Sequence, residues 1–199
     1  MAQTQRLIVG ISGASGAIYG VRTLEAAKKA GVETHLVLTK TAAMTLAYET
    51  DWTVKKVQAL ADVVHSAEDL GAAISSGSFR TLGMIVAPCS MRSVSEIAYG
   101  NTTGLLTRAA DVQLKEKRRV VLLAREAPLH VGHLRALTQA AEIGAVILPP
   151  VPAFYARPTT IDELVGHTVG RALDLFGIET DLVRRWGETP RRTKKPTKP

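Results

Sequence analysis

The sequence predicts an α/β fold: a single-domain, three-layer, Rossmann- or flavodoxin-like arrangement with a mostly parallel sheet and helices on both faces. Three observations carry this. Apolar runs of four to six residues alternate with segments of helical periodicity, as a covered parallel sheet requires. The first run, Leu7-Ile8-Val9, leads into GISGASGAIYG, a glycine-rich turn opening a helix. The 199 residues suffice for one domain with a full core.

In chain order, strands are expected at 6–9, 34–38, 84–87, 120–124 and 145–148, each an uncharged or nearly uncharged β-branched and aliphatic run. A helix at 17–30 ends where Gly31 follows Lys28-Lys29-Ala30, cations on the negative end of the helix dipole. Helices at 41–49 and 53–60 come next. The serines and glycine of ISSGSFR make 66–81 read as a long mobile loop. Further helices are expected at 93–99, 105–117, 130–143 and 161–176. Thr160 is placed to cap the last, ahead of first-turn acids Asp162 and Glu163, with Leu164, Val169 and Leu173 near helical spacing. No internal repeat is present.

Composition narrows the class. Hydrophobic residues form 46% and charged residues 22%, so neither a disordered chain nor a fibre is expected. No apolar stretch is long enough to span a bilayer, and the first residues lack a signal-peptide pattern, so a cytoplasmic location is expected, with no membrane partner. The lone Cys89 cannot form an intrachain disulfide. The net charge of +7 raises nucleic-acid binding. Yet Arg191, Arg192, Lys194, Lys195 and Lys198 crowd the last ten residues among prolines, so the charge belongs to a solvated tail at 188–199 rather than to a binding face on the 1–187 domain.

Ligands of open parallel sheets sit beyond the carboxyl ends of the strands. The first strand is followed by Ser12 and Ser15, the second by Thr39-Lys40 and the third by Pro88-Cys89-Ser90-Met91-Arg92-Ser93. The fourth is followed by Arg125-Glu126 and the fifth by a proline-rich turn reaching Tyr155. Hydroxyls, helix N-termini and arginine forks at one edge make an anion site. The glycine spacing is G-x-x-G-x-x-G, and the second strand ends without the acid that would hold a ribose, so a dinucleotide reductase is disfavoured. Cys89 reads as a small residue lining a ligand more than as a nucleophile. His130 and His133 lack a third metal ligand and read as structural. Glu126 stays open between proton carrier and partner of Arg125.

GISGASGAIYG, YETD, ISSGSFRTLGMIVAPCSM, LLTRAADVQLKEKRR, REAPLHVGHL and PPVPAFYARP together resemble the flavin prenyltransferases of the UbiX family, within the flavin-binding cysteine decarboxylase-like group; the likeness covers residues 6–187. It implies a metal-independent transferase joining a dimethylallyl group from dimethylallyl phosphate to N5 and C6 of reduced FMN. The prenylated FMN would serve UbiD-type decarboxylases, and the enzyme would assemble as a homododecamer. By motif, FMN would contact Gly13, Ala14, Ser15, Thr39, Ser90, Met91, Arg92, Ser93 and Arg125. Dimethylallyl phosphate would be held by Tyr155 and Arg171, with Arg108 and Lys115 adding charge and Trp186 an aromatic wall. Ser15, Glu49 and Glu126 would be the catalytic set, Glu126 and Ser15 relaying the C6 proton to the departing phosphate. Fixed cations stabilise that phosphate, and a dry apolar wall protects the allyl fragment. Thr39 stands where many relatives have serine, and Leu70 where some have tryptophan. A flavin-dependent cysteine decarboxylase and a non-catalytic FMN-delivery protein are the competing readings. The first would need a histidine base absent from 41–49, and the second would not need the phosphate-handling set.

Overall fold

A strand without charge between its ends has no face for water, and β1 (Arg6–Ile11) is buried along its length after Arg6. In the computed structural model, which describes residues 5–187, β1 lies at the centre of six strands. The others are β2 (Glu33–Leu38), β3 (Val63–His65), β4 (Gly83–Cys89), β5 (Arg119–Ala124) and β6 (Val146–Ile147). Their order is β3-β2-β1-β4-β5-β6 and every pairing is parallel, so the mostly parallel sheet expected is wholly parallel among the described residues. The strand order reverses between β1 and β4. The crevice above that switch point is where such sheets bind ligands.

Alternate side chains of the sheet feed two cores. Leu7, Val9 and Ile11 pack with Val21 and Leu24 of α1 (Ala17–Lys29) and with Val169 and Leu173 of α7 (Ile161–Asp174). α2 (Lys40–Glu49) and α3 (Val54–Gln58) close this side through Leu46 and Val57. On the opposite face, Ile8, Met84 and Val86 meet α4 (Met91–Tyr99), α5 (Leu105–Lys115) and α6 (Val131–Glu142). Each fully buried leucine or isoleucine contributes about 1.5–3 kcal/mol, so the two cores fix the layer order.

Several boundaries differ from expectation for identifiable reasons. β3 was not expected, because three residues with Val63 exposed carry too little pattern to mark an edge strand. The helices expected from 41 and 93 begin at Lys40 and Met91, because Thr39 and Ser90 are their N-caps, accepting from Ala42 N at 3.1 Å and Ser93 N at 3.2 Å. His130 caps α6 through Nδ1, which accepts from His133 N, and so stands before that helix. The loop expected to be mobile is pinned instead. Ile74, in a 3-10 turn at Ala73–Ser75, is wholly buried, and Arg118 donates to the carbonyls of Gly77 and Phe79 at 2.7 Å each. The basic tail at 188–199 lies outside the described residues.

Candidate active site

The two loops above the switch point are stitched together by Ser12. Its hydroxyl, 1% exposed, donates to Pro88 O at 2.9 Å and accepts from Ser90 N at 2.8 Å. Its own N–H also bonds Pro88 O, and Ala14 N returns to Ser12 O. The glycine loop is thereby fixed against the start of α4. Gly13 passes so close to Thr41 that any Cβ would collide with that side chain, so the loop also packs directly on the first turn of α2. Gly16 caps α1 with φ +99°, in the left-handed region that favours glycine.

Glu49, the last residue of α2, reaches over to this loop. Its Oε2 accepts from Gly16 N at 2.7 Å and Ala17 N at 3.3 Å, the first amides of α1. Burial would raise its pKa, but a bond from the Ser15 hydroxyl, those two amides and the nearby Arg125 charge outweigh this and hold it below the usual glutamate value. α1 is therefore neutralised by the protein's own carboxylate. Room for an external anion is left at the N-termini of α2 and α4, where the first amides have no intrahelical acceptor.

The remaining sheet-edge residues gather around those two termini. Thr39 Oγ1 lies 3.1 Å from Thr41 Oγ1, and Thr39 N bonds Ile11 O. Ser90 Oγ donates to Ser93 Oγ at 3.1 Å, leaving the Ser93 proton for another acceptor. Met91 turns into the core, whereas Arg92 points to solvent and pairs with Glu96 at 2.8 Å. Arg125 N is tied to Cys89 O, and the guanidinium charge acts on both Glu49 and Tyr19. Burial raises the Tyr19 hydroxyl despite that cation. Glu126 folds onto its own backbone, accepting from Ala127 N at 3.0 Å. Cys89 is fully buried and burial pushes its thiol up, so it is no thiolate nucleophile. Among the described residues no group of three or more metal-ligating side chains occurs.

Two other sets of expected residues lie on α5 and on the segment from the 3-10 turn at Phe154–Ala156 to α7. Arg108 and Lys115 do share one face of α5, as their spacing predicts, but it is the outward face: Leu105, Leu106, Ala109 and Val112 point to the sheet. Arg108 pairs with Asp111 at 3.0 Å and Lys115 with Glu116 at 3.4 Å. Lys115 precedes the amino end of β5, whose six residues put about 20 Å between it and Arg125. Tyr155 sits on a 3-10 turn at Phe154–Ala156 with its hydroxyl 3.2 Å from His167 Nε2 and its ring 5.4 Å from Trp186. Arg171 is three residues before the end of α7 and shares Asp174 with Arg185. Burial would raise Asp174, but the two guanidinium groups outweigh it and hold the carboxyl low.

A cleft of about 770 Å³ lies between α1, α7 and the C-terminal segment rather than at the switch point. Carboxylates outnumber cations in its lining, with Arg22 paired to Asp162 at 2.6 Å and Lys29 to Asp181 at 2.9 Å, so it offers an anion no net attraction. Sequence reasoning placed Ser12 at the end of the first strand without its stitching role, and overlooked Tyr19 beside Arg125 and His167 behind Tyr155. Only the last had a visible signal, its i,i+4 spacing from Arg171.

Comparison with known proteins gives a consistent picture. The model of the family described as Flavoprotein matches residues 1–173. Flavin prenyltransferase UbiX of Escherichia coli strain K12 is 60% identical over 185 residues, covering 92% of this chain and 98% of that protein. The crystal structure of AnUbiX (PadA1) in complex with FMN and dimethylallyl pyrophosphate superimposes with a TM-score of 0.91 at 49% identity, covering 92% of this chain and 98% of that one. The dodecameric FMN-dependent Ubix-like decarboxylase from Escherichia coli O157:H7 gives 0.89 at 49% identity, covering 92% and 99%.

Proposed function

The chain belongs to the flavoprotein family and, within it, to the UbiX flavin prenyltransferases, and from that premise we propose how its residues divide the work. It is a flavin prenyltransferase, a transferase acting on FMN with a dimethylallyl donor. The donor set fits FMN on chemical grounds: hydroxyls at Thr39 and Ser93, helix N-termini of α2 and α4, and the Arg125 guanidinium suit a phosphate ester. When bound and reduced, FMN supplies the N5 and C6 atoms that take the dimethylallyl group.

The chain's own residues then bind, orient and move protons. Thr39 and Ser93 with the amides at 91–92 hold the FMN phosphate, Ser90 orienting the Ser93 hydroxyl, and the loop at Gly13, Ala14 and Ser15 lies along the flavin. Glu49, kept ionised, fixes the Ser15 hydroxyl, and Arg125, whose charge acts on that carboxylate, contacts FMN. Ser15 and Glu126 pass the C6 proton toward the departing phosphate. Arg108 and Lys115 lie on the outward face of α5, and with Tyr155, Arg171 and Trp186 they complete the site of a neighbouring copy. A dodecamer like that of the E. coli O157:H7 protein provides such neighbours. Their cations stabilise the phosphate as the carbon–oxygen bond breaks.

The observation carrying this reading is the convergence of the Ser15–Glu49 pair, two hydroxyl-capped helix N-termini and Arg125 at one switch point. A cysteine decarboxylase would need a histidine base after β2, and α2 has none. FMN delivery alone would not need the outward cations. We place the enzyme in the cytoplasm, consistent with one buried thiol and no described helix long and apolar enough to cross a membrane. Its product goes to a UbiD-type decarboxylase. The test is anaerobic incubation with reduced FMN and dimethylallyl phosphate or diphosphate, followed by mass spectrometry of the extracted flavin. Prenylated FMN is expected with the monophosphate; unmodified FMN after demonstrated binding of both substrates would reject the assignment. A monomeric mass by light scattering, with full activity, would reject the shared site.

A further inference from the structure

A tyrosine has one O–H proton, so Tyr155 can donate in one direction only. Its oxygen lies 3.2 Å from Nε2 of His167, and the rings meet edge to face at 5.7 Å. His167 is 8% exposed, and Arg171 follows it by one turn on the same side of α7. Trp186 packs edge-on against Tyr155. The pair has two arrangements. With Nε2 bare, the imidazole takes the tyrosine proton and the phenol has nothing to donate elsewhere. With a proton on Nε2, the imidazole donates to the phenolic oxygen, and the phenolic proton is left for a third group. A dianionic phosphate ester only accepts, so it can bond the Tyr155 hydroxyl proton only in the second arrangement.

Resting on the reading of Tyr155 as a ligand of the donor phosphate, we propose that His167 is a positioning residue for prenyl transfer. It donates Nε2–H to Tyr155 and thereby turns the phenolic hydroxyl toward the phosphate. Hydrogen bonds in series polarise one another, so the imidazole also makes the phenol a stronger donor. As the carbon–oxygen bond breaks, its electron pair passes to the phosphate and the accepting oxygen gains charge. The His167 contribution therefore grows toward the transition state and falls mainly on kcat. No proton leaves the pair.

The test uses the full chain and the variants His167→Leu, His167→Gln and Tyr155→Phe. Each is confirmed to be folded and assembled by circular dichroism and light scattering. Two readouts are taken: steady-state prenylation with the donor varied over reduced FMN, and calorimetric titration with dimethylallyl phosphate in the absence of flavin. His167→Leu should lower kcat about tenfold, the size of one hydrogen bond to a charged group, with a smaller rise in KM for the donor. It should also weaken donor binding in the calorimeter severalfold. His167→Gln, whose amide N–H reaches toward the same point, should recover most of both, and His167→Leu in a Tyr155→Phe background should cost nothing further. A His167→Leu enzyme at the wild-type rate, beside a slow Tyr155→Phe, overturns the His167 role alone. Equal impairment of the Leu and Gln variants assigns His167 to packing and overturns it too. Tyr155→Phe at the wild-type rate overturns the underlying reading of Tyr155.

Discussion

Replacing Ser12 by alanine removes one oxygen from a wholly buried position and leaves its two partners unequally affected. Pro88 O keeps the 3.2 Å bond from the backbone N–H of residue 12, so it stays satisfied. Ser90 N loses its acceptor at 2.8 Å. An unsatisfied buried donor costs about 1–3 kcal/mol, and the small void left by the hydroxyl adds little, so a loss near 2 kcal/mol is expected. For a chain of this size each kcal/mol moves the melting temperature by about 2–4 °C, giving a fall of about 4–8 °C. The same change frees the glycine loop from the start of α4, so FMN affinity should drop as well. Calorimetric melting measures the first effect and quenching of flavin fluorescence the second. Ser12→Thr, which keeps the oxygen, should recover part of each. A Ser12→Ala protein that melts with the wild type and binds FMN equally well would falsify the claim that this hydroxyl sets the spacing of the two loops.

Gly13→Ala forces a methyl group into the Thr41 side chain, a strain of about 1–3 kcal/mol that relaxes by pushing α2 from the loop. FMN binding, read by titration, should weaken more than thermal stability falls; an unchanged dissociation constant would show that the loop and α2 need not touch. Glu49→Gln removes the charge that neutralises α1. Because the folded pKa of Glu49 is lowered, the stabilisation is fully present above the unfolded glutamate value of about 4.3 and is lost as pH falls through the folded one. The variant should therefore be less stable by about 1 kcal/mol at neutral pH, allowing for solvent screening at this exposed site, and the gap should close in acid. A gap independent of pH in urea denaturation would contradict the charge argument.

Most of the scaffold was legible because its signals are local. Leu7-Ile8-Val9 and Val120 to Leu123 are too apolar for anything but buried strands, and Thr160 with Asp162 and Glu163 marks the start of α7 through chemistry confined to four residues. β3 escaped because an edge strand of three residues is defined by its partner β2. The pinned loop escaped because Ile74, one apolar residue among serines, gains its importance only from the core it enters. The sheet-edge residues could be gathered from strand ends alone. The disposition of Arg108, Lys115, Tyr155 and Arg171 could not, since periodicity tells which residues share a helix face and not which way that face looks. The stitch at Ser12 joins residues 76 and 78 apart, a relation no window along the chain contains.

That separation also governs how the molecule is made. β1 occupies the middle of the sheet, yet its partner β4 follows it by 76 residues, Leu7 opposite Gly83. At a ribosomal rate of about 5–20 residues per second, β1 is on hand about 4–15 s before the strand that completes its second edge exists. During that interval β2 can pair only one edge, the other edge presents a row of open backbone groups, and Ile8 on the face away from α1 has no cover. The central strand is thus the segment most exposed to misassociation during synthesis, and early docking of α1 on Leu7, Val9 and Ile11 is the protection that the chain order itself provides.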